Sequence, residues 1–531
     1  MFRQPAAVRV SGARRGDAVR PFLSIPPFPR RRIDNFEAST TATNLDDDEA
    51  DELLALLREK RVGGLYWGAQ PGLDVQKVAL GPSEIASARN KVDPWHMLAN
   101  ATEIACEGGD PLRLIAGLLE VPVRFPDDGQ AARLLAREEL RALLRKALEP
   151  TLPLNPFTGE PMAWSEAISL CGEWRQLIDA NRPIAAVYGF AGWKRSTTEA
   201  LLWNGRAGYQ FDRDPAELRA GQSVAVWRSR TSSDRLAQLA EVGVKLVEVE
   251  DGFIRSAGLG ANCVPPQSIV VDDEGIYFDG RSPSRLERIL EETDFSPDLL
   301  QEVEALLDRI RALGLSKYDV GHQQLARRSP RPHVLVPAQV EDDRAVLSVT
   351  GPPLTNLELL KRVRAARPEA YILFKPHPDV EAGHRKGAVP DSVALTIADE
   401  IVREGTISSW IDLVDEVHVN SSLAGFEALL RGKAVVTHGV PFYAGWGLTT
   451  DLGAVPERRT ARRSLSELAA AALLLYPRYS DPVTNLPCSA EVVISRMGDM
   501  VQRGSGSRSA LVLARRLQGW LNRHLRRTLA S

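Results

Sequence analysis

The chain has 531 residues, of which 44% are hydrophobic and 25% charged, and its formal net charge is −3. This composition excludes a chain that is disordered throughout, and the length predicts roughly two to four domains. The near-neutral charge argues against a nucleic-acid partner, since a surface that binds phosphates needs a strong basic excess. The four cysteines are widely spaced without a CxxC pair, so neither a disulfide framework nor a zinc site is predicted.

Residues 1–50 are predicted to be a flexible extension, because arginines, prolines and an acidic run leave little apolar surface to bury. The N-terminus is rich in arginine but lacks the apolar segment of a secretory signal, which predicts a cytoplasmic protein. No run approaches the ~20 consecutive apolar residues of a membrane span. Any membrane association is therefore expected to be peripheral.

A globular pattern begins at residue 51, where DELLALLREK has helical spacing, and ARLLAREELRALLRKALEP is a second amphipathic helix. Residues 93–123 weakly parallel residues 408–436, with EGG in the first segment where the second has NSS. Chance explains this similarity as well as duplication does. If it is a duplication, residues 51–150 are a degenerate copy kept for packing. Turn formers in NPFTGEP then indicate a junction.

Beyond this junction, short apolar strands alternate with helices. Eight runs have the β-branched, apolar character of strands: PIAAVYGF, SVAVW, KLVEVE, SIVVDD, HVLVPAQV, AYILFKPH, EVHVN and AVVTHG. This alternation is typical of parallel sheets covered by helices on both faces. Residues 160–480 are therefore predicted to form one or two doubly wound α/β domains, which bind ligands at the carboxyl ends of their strands.

The first polar loop at a predicted strand end runs from Glu250 to Ser256. Glu250 and Asp251 are adjacent carboxylates, Gly252 permits a tight turn and Arg255 follows. The carboxylates suit general acid/base chemistry, and the arginine suits a phosphate or a carboxylate. A polar turn held by an arginine salt bridge is the alternative, and for this loop alone it is favoured.

The second loop holds three consecutive carboxylates, Glu341, Asp342 and Asp343, after HVLVPAQV. Carboxylates at a strand end suit a nucleophile, a base or a metal ligand, and their repulsion separates their pKa values. The same residues also suit a cap for the next helix. The sequence leaves both interpretations open.

The third loop places Lys375 and His377 after AYILF, with His377 between two prolines and His384, Arg385 and Lys386 close behind. Flanking prolines fix the backbone around the imidazole, which favours a binding role over a buried core histidine. Such a histidine is suited to donate a hydrogen bond to a phosphate.

The fourth loop runs from a strand into a helix through Ser421 and Ser422, with Glu427 further along the helix. Hydroxyls and backbone N–H groups at a helix start form an anion site, although a plain N-cap explains one serine. The aromatic and glycine-rich segment 439–448 suits either a stacking wall for a base or sugar, or an ordinary packed loop.

Motifs of other enzyme classes are missing in a supporting context. No GxxxxGK[ST], GxGxxG, HExxH or GxSxG pattern fits its required surroundings, which argues against kinases, classical dehydrogenases and serine hydrolases. Asp272, Asp273 and Glu274 are possible metal ligands, but a hairpin turn is the favoured interpretation of VDDEGIY.

As an ordered set, these loops resemble the bacterial capsule-assembly β-Kdo glycosyltransferases of the KpsC kind. The resemblance covers roughly residues 155–480. It is carried by NPFTGEP, YGFAGWKR, EDGFIRSAGLGANCVPPQSIVVDDEGIYFDGRSPSRLE, LSKYD, VLVPAQVEDD, FKPHPDVEAGHRKG and SSLAGFEALLRGKAVVTHGVPFYAGWGLT. Members of that family often carry two such modules, and here the C-terminal type is complete.

The resemblance implies two Rossmann-like halves of glycosyltransferase-B type that face a cleft. Residues 155–330 would form the acceptor-side half and residues 331–480 the CMP-sugar-binding half, after a small α/β remnant over 51–150. Residues 481–531 would form C-terminal helices. The donor would be CMP-Kdo and the acceptor a lipid-linked β-Kdo glycan of the linker that anchors capsular polysaccharide.

The resemblance also assigns roles to residues. Because the sugar is β-linked in both CMP-Kdo and the product, the transfer would be retaining, with Asp343 as nucleophile and Glu250, beside Asp251, as acid/base. His377 would contact the CMP phosphate, and Lys375 would offset the charge of the leaving group.

The remaining assignments concern substrate binding. Ser421 and Ser422 would cradle the phosphate, Glu427 would bind substrate, and Arg255 would bind the Kdo carboxylate through its planar fork. Neither a cofactor nor an essential metal is expected.

The C-terminal segment SALVLARRLQGWLNRHLRRTLA is a basic amphipathic helix, which indicates peripheral contact with an inner-membrane surface of anionic lipid. A terminal helix packed on the protein body is the alternative. Two other functions stay open: a transferase that uses another CMP-sugar such as sialic acid, and a non-catalytic scaffold that binds CMP-sugars or partner transferases.

Overall fold

The computed structural model describes residues 21–72, 78–88, 90–107, 110–125, 131–148, 150–206, 208, 211–254, 265–316, 323–348, 354–383 and 385–502. The chain divides into two compact units. Unit 1 comprises Met1–Ile184, Glu199–Tyr209 and Val483–Pro487, and unit 2 comprises Ala185–Thr198, Gln210–Pro482 and Cys488–Ser531.

Unit 1 combines helices with two small sheets. Its elements are β1 (Ala38–Ala42), α1 (Asp47–Lys60), β2 (Val78–Leu80), α2 (Pro82–Ala88), α3 (Pro94–Ala99), β3 (Ala101–Ala105), α4 (Leu112–Leu118), β4 (Val123–Arg124), α5 (Arg137–Ala147), β5 (Thr151–Pro153) and α6 (Trp164–Asn181). Strands β1 and β5 pair antiparallel, whereas β2, β3 and β4 form a parallel sheet with β3 in the centre.

Local sequence explains where α1 begins and ends. The side chain of Asp46 accepts a hydrogen bond from the Glu49 backbone amide, and the Asp46 backbone amide donates one to the Glu49 carboxylate, which caps the first turn. Leu53 and Leu57 lie on the buried face, and the helix ends where Arg61 adopts a left-handed conformation. The acidic run before the predicted helix is therefore its start.

The prediction of a flexible extension over residues 1–50 is wrong for its described part. Phe22, Ile25 and Phe28 are buried in unit 1. The ring of Phe28 meets Trp174 and Trp203 edge-on, with centroids 5.9 and 5.1 Å apart. Prolines and arginines around FLSIPPF hide this apolar cluster from an argument based on average composition.

The elements from Ile184 onward alternate strands and helices. They are β6 (Ile184–Tyr188), α7 (Arg195–Leu201), β7 (Ser223–Val226), α8 (Ser233–Val242), β8 (Lys245–Asp251), β9 (Ser268–Asp272), α9 (Arg285–Glu292), α10 (Pro297–Leu313), β10 (His333–Pro337), α11 (Arg344–Leu347), α12 (Asn356–Ala366), β11 (Tyr371–Lys375), α13 (Pro378–Glu381), α14 (Asp391–Ala394), β12 (Glu400–Ile401), α15 (Ile407–Leu413), β13 (Glu416–Val419), α16 (Leu423–Leu429), β14 (Ala434–Thr437), β15 (Thr450–Asp451), α17 (Leu465–Ala470), β16 (Pro477–Ser480), β17 (Pro487–Cys488) and α18 (Ala490–Gln502). A π-helical turn, Ala471–Leu475, extends α17.

The first half of unit 2 is built on a mixed sheet of order β17-β16-β9-β8-β7-β6. Strands β7 and β8 are parallel, but β9 is antiparallel to both β8 and β16. The prediction of purely parallel sheets is therefore wrong here, because consecutive strands such as β8 and β9 can pair antiparallel without a crossover helix. The predicted boundary at residue 480 also differs from the structure, since β16 joins this first sheet.

The second half of unit 2 is built on a sheet of order β12-β11-β10-β13-β14-β15, in which every pair is parallel. Its central strand β10 is buried along its whole length, as expected for a sheet covered on both faces. The α/β fold with two Rossmann-like halves is thereby confirmed.

All eight predicted runs form strands, namely β6, β7, β8, β9, β10, β11, β13 and β14. The pattern missed β12, β15 and β17, which are two residues long and too short for an alternation of apolar residues to show. It also missed β16.

The two segments that resemble each other in sequence share an order of elements. Residues 93–123 contain α3, β3, α4 and the first residue of β4, and residues 408–436 contain most of α15, then β13, α16 and most of β14. In each segment the two strands are parallel neighbours.

Two histidines are buried side by side in the second half. Nδ1 of His418 lies 3.1 Å from Nε2 of His438, and Nε2 of His418 lies 3.2 Å from a carboxylate oxygen of Glu416. Burial, together with the neighbouring His418, lowers the pKa of His438 to about 4. At neutral pH His438 is therefore uncharged.

Acidification should weaken unit 2 through His438. An unfolded histidine has a pKa of about 6.5, so between that value and about 4 the unfolded chain binds more protons, and stability falls as the pH falls. Wild type should lose free energy of unfolding between pH 7.5 and 4.5, and we expect His438→Gln to make this loss smaller by up to about 3 kcal/mol. Urea unfolding at several pH values measures this.

The control is His96→Gln in unit 1, which should keep the wild-type pH dependence of the unit 2 transition. Equal pH dependence in His438→Gln and wild type would contradict the assignment.

Candidate active site

The predicted site residues meet at one cleft of about 1000 Å³ between the two halves of unit 2. Of the nine side chains to which the resemblance gives roles, eight line it: Glu250, Asp251, Asp343, Lys375, His377, Ser421, Ser422 and Glu427. Arg255 lies outside the described residues, as does His384. The carboxyl ends of β8, β10, β11 and β13 supply these residues, which is where an α/β sheet binds ligands.

Glu250 and Asp251 end β8, where successive side chains point to opposite faces of the sheet. Asp251 forms an ion pair with Lys194, whose Nζ lies 3.1 Å from Oδ1. Lys194 is 4% exposed, and its ammonium lies 3.2 Å from the ring centroid of Trp227. Asp251 is therefore paired with a buried lysine, while Arg255, the partner in the salt-bridge interpretation, lies outside the described residues.

Sequence reasoning missed Lys194 as a site residue, although it lies in the conspicuous stretch YGFAGWKR. A lysine directly after a tryptophan carries no local signal of burial. Its partner is 57 residues away in the chain.

The three consecutive carboxylates have separate roles. Oε1 of Glu341 accepts a hydrogen bond from the Asn356 amide at 2.8 Å and so holds the start of α12. Asp343 occupies the N-cap position of α11, yet within the described residues its side chain makes no hydrogen bond to that helix start. Glu341 therefore bonds to α12 and not to the next helix, α11, and the Asp343 carboxylate is not used as a cap.

Arg385 lies beside the other two carboxylates. Its Nε is 3.1 Å from Oδ1 of Asp342, and its Nη2 is 3.5 Å from Oδ1 of Asp343. Burial opposes ionisation of Asp342, but the hydrogen bond and charge of Arg385 outweigh it, so the pKa of Asp342 lies below its usual value. Asp343 itself is half exposed in the cleft.

The geometry of His377 fixes its tautomer when it is neutral. The Asp379 amide donates to Nδ1 of His377 at 3.1 Å, so Nδ1 presents its lone pair and Nε2 carries the proton. The side chain thus has a donor at Nε2, as phosphate binding requires. Lys375, on the same loop, donates from Nζ to the Gly405 carbonyl at 3.0 Å.

The two serines differ in their contacts. Ser421 donates from its amide to Oε1 of Gln339 at 2.9 Å and from its hydroxyl to the Ala345 carbonyl at 3.2 Å. Ser422 is the N-cap of α16, where its Oγ accepts from the Ala424 amide. Ser421 therefore connects loops, whereas the hydroxyl proton of Ser422 is not used by its capping bond.

Most of the aromatic segment 439–448 is a packed loop. Tyr443 and Trp446 are fully buried, and the Tyr443 hydroxyl donates to the Ser422 carbonyl. A Cβ on Gly425 would overlap that hydroxyl, so glycine is required at this close approach. The segment supports the serine loop from beneath, and Phe442 also reaches the cleft wall.

Two further groups complete the description of the site. Glu427, on α16, is a buried carboxylate with 7% exposure. Arg344 follows Asp343 and reaches Oε2 of Glu248 on β8 at 3.0 Å, which connects the two halves of unit 2 across the cleft. Neither Arg344 nor Glu248 was predicted, because their pairing depends on how the halves face each other.

Asp272 is a structural residue in a turn, but the hairpin interpretation of VDDEGIY is wrong, because β9 is followed by α9 and pairs with β8 and β16. Its Oδ1 accepts hydrogen bonds from the amides of Glu274 and Gly275, and the Tyr476 hydroxyl donates to Oδ2 at 2.8 Å. Burial raises the pKa of Asp272. Its oxygens are thus committed to the turn.

Two Rossmann-like halves that face a cleft with carboxylates, a histidine and serines at strand ends define a protein of glycosyltransferase-B-like fold. The family described as capsule polysaccharide biosynthesis protein matches residues 222–306 and 296–479. The lipopolysaccharide-processing protein LpsZ of Rhizobium meliloti is 37% identical over 378 residues, which cover 67% of this chain and 85% of LpsZ. The chain belongs to the family of capsule polysaccharide biosynthesis proteins.

Two further comparisons agree with this family. The capsule polysaccharide modification protein LipA of Neisseria meningitidis serogroup A is 35% identical over 385 residues, covering 71% of this chain and 54% of LipA. The chain thus spans about half of LipA's length. A solved structure from Thermosulfurimonas dismutans, titled KpsC, beta Kdo 2,4 transferase, is 32% identical with a TM-score of 0.51, covering 59% of this chain and 98% of that chain. The resemblance to KpsC proteins is confirmed.

Loss of the Lys194 charge should destabilise unit 2, because Asp251 would lose the cation that balances it in a partly buried place. We expect Lys194→Met to lower the free energy of unfolding by about 3 kcal/mol, and Asp251→Asn in the same chain to restore part of it. Urea unfolding of the single and double variants measures both effects.

Lys245→Met, at the exposed start of the same strand, is the matched control and should change stability by less than about 0.5 kcal/mol. A loss for Lys194→Met as small as that of the control would show that the ion pair contributes little.

Proposed function

We propose that this chain is a retaining glycosyltransferase that moves Kdo from CMP-Kdo to a lipid-linked β-Kdo acceptor in capsular polysaccharide biosynthesis. The observation that carries the proposal is a single cleft with Asp343 on one half and Glu250 on the other. The KpsC structure, whose title names a beta Kdo 2,4 transferase, supports the choice of sugar.

Retention follows from two successive displacements. The Asp343 carboxylate attacks the anomeric carbon of the donor, forming a glycosyl ester as the bond to the phosphate of CMP breaks. The acceptor hydroxyl then attacks the same carbon and releases Asp343, while Glu250 takes the hydroxyl proton. Each displacement inverts the anomeric centre, so the β configuration is restored.

Groups on the second half would stabilise the departing CMP. The Nε2–H of His377 would donate to the phosphate, and Lys375 brings a positive charge to the same loop. Ser422 can donate its hydroxyl proton while it caps α16. Ser421 supports this loop through Gln339 and adds a direct contact only if its hydroxyl leaves the Ala345 carbonyl.

Other parts of the proposal concern location and the donor carboxylate. Among the described residues, no helix is both long enough and apolar enough to cross a bilayer. We propose that the enzyme is cytoplasmic and contacts the inner membrane peripherally through its basic C-terminal segment, which lies outside the described residues. Arg255, which the resemblance assigns to the Kdo carboxylate, also lies outside them.

Removal of the nucleophile should abolish transfer without abolishing nucleotide binding. We expect Asp343→Ala and Asp343→Asn to lower the rate of Kdo transfer by at least about 10³-fold. The assay supplies CMP-Kdo made in situ and a synthetic lipid-like acceptor with a terminal β-Kdo, and mass spectrometry detects the added Kdo. Calorimetry with CMP should give wild-type affinity for both variants.

Asp391→Asn is the control, because Asp391 is a surface carboxylate of the same half, paired with Arg403. It should keep wild-type activity. Transfer by Asp343→Ala at the wild-type rate would exclude Asp343 as nucleophile. Wild-type binding of CMP without transfer would favour the scaffold, and transfer from CMP-sialic acid alone would change the donor.

The two carboxylates at the end of β8 should differ in their effect on the reaction. Glu250→Gln is expected to lower kcat by about 10²–10⁴-fold and to remove the alkaline-rising limb of the pH–rate profile, because no base takes the acceptor proton. Asp251→Asn should instead act mainly on stability through Lys194, with the pH–rate profile unchanged in shape. The opposite result would exchange the roles of the two residues.

A further inference from the structure

The loop that carries Arg385 is built against the loop that carries Asp343. The Glu341 amide donates to the Lys386 carbonyl at 3.1 Å. Nδ2 of Asn356 donates to the Gly387 carbonyl at 2.9 Å and to the Gln339 carbonyl at 2.8 Å. Asn356 is 3% exposed, so these bonds are shielded from water. Hydrogen bonds to the carbonyls of Lys386 and Gly387 therefore hold the loop of Arg385 beside Asp343.

Gly387 shows how close this approach is. Its φ is +125°, and a Cβ there would lie 2.8 Å from both the Gln339 carbonyl oxygen and Nδ2 of Asn356. Only glycine fits this backbone conformation and this spacing. Glycine at this position therefore allows residues 385–387 to lie against the end of β10.

The guanidinium of Arg385 is held by one edge. Its Nε contacts Asp342 at 3.1 Å, while Nη2 is at the long distance of 3.5 Å from Asp343. A guanidinium has five N–H donors in a planar fork, so a hold through Nε leaves the Nη groups able to bind a second carboxylate. The side chain is 38% exposed and lines the cleft.

Four other cations line the cleft; Arg230 belongs to the half that faces Asp343, and the remaining three are engaged away from Asp343. These three are Arg344, 3.0 Å from Glu248; Lys375, 3.0 Å from the Gly405 carbonyl; and Arg403, 2.6 Å from both Glu381 and Asp391. Within the described residues, Arg385 is the cation that contacts the Asp343 carboxylate.

The chemistry of the proposed donor requires a cation at this place. In a 2-keto acid sugar such as Kdo, the carbon that Asp343 attacks also carries a carboxylate. Attack therefore brings two negative carboxylates within a few ångströms of each other, and their repulsion opposes the reaction unless a positive group lies between them. A neutral sugar would bring no such second charge.

We propose that Arg385 binds the donor's carboxylate through its Nη groups and thereby selects acid sugars over neutral sugars. This inference rests on the proposed function and deepens it. During binding, Arg385 keeps Asp342 on Nε and exchanges its long contact with Asp343 for the sugar carboxylate. Asp343 is then next to the carbon that it attacks, with the positive charge between the two carboxylates.

The test separates the sugar carboxylate from the nucleotide. For Arg385→Ala we expect the KM for CMP-Kdo to rise by about 10–100-fold, as for loss of a hydrogen bond to a charged group, while the Kd for CMP measured by calorimetry stays within about twofold of wild type. Arg385→Lys should have a KM for CMP-Kdo between those of wild type and Arg385→Ala, because lysine keeps the positive charge but lacks the planar fork of N–H donors. Unchanged CMP binding also shows that the variants fold.

Arg328→Ala is the matched control, since Arg328 is an exposed arginine of the same half paired with Glu400. It should leave both KM and Kd unchanged. An unchanged KM in Arg385→Ala, an equal rise in the Kd for CMP, or a selective effect of Arg255→Ala in its place would overturn the proposal for Arg385. A wild-type protein that neither turns over CMP-Kdo nor binds it more tightly than CMP would overturn the proposed function, and this inference with it.

Discussion

The buried amide of Asn356 is the interaction on which the second half of the site depends. Its Oδ1 accepts a hydrogen bond from the Gln339 backbone amide, and its Nδ2 donates to the carbonyls of Gln339 and Gly387. The backbone amide of Asn356 donates to the Glu341 carboxylate. Gln339 in turn contacts Ser421 through both of its side-chain atoms. Because each of these buried groups needs its partner, the three loops take their positions together.

The parallel register of the sheet explains why most of the site could be predicted. Pro337 of β10 lies opposite Lys375 of β11, so the loops that follow these strands begin side by side. Apolar runs show where such strands end, and polar residues directly after them must share one edge. The carboxylates, His377 and the serine pair were found by this reasoning, with their order in the chain supporting the KpsC resemblance.

The residues that escaped prediction have partners chosen by three-dimensional packing. Lys194 and Asp251, or Arg344 and Glu248, are far apart in the chain, and neither pair has a spacing that indicates contact. The antiparallel β9 and the return of β16 to the first sheet also depend on pairings that a single run of apolar residues does not encode. The burial of residues 21–28 was not predicted either, because the average composition of residues 1–50 hides a short apolar cluster.

Unit 1 bears on how many linkages one chain makes. Its segment α3-β3-α4-β4 has the order and parallel pairing of the segment that contains the serine loop, but EGG stands where the second segment has Asn420, Ser421 and Ser422. A copy without the hydroxyls and the capping serine lacks the groups proposed to bind the phosphate. On this ground we propose one linkage for the part of the chain that the structure describes.

The proposed reaction places a constraint on the charges of the cleft, because the anomeric carbon of CMP-Kdo carries both the departing phosphate and a carboxylate. The phosphate needs His377 and Lys375 at the end of β11, and the carboxylate needs Arg385 beside Asp343. Since β10 and β11 are neighbours about 4.8 Å apart, one sugar ring can reach both sets of groups. Retention further requires the acceptor to attack from the side that the phosphate leaves. Glu250 belongs to the other half of unit 2, so the base that activates the acceptor lies on the cleft wall opposite the groups that bind the donor. The nucleophile Asp343 and the base Glu250 therefore occupy different positions around the anomeric carbon.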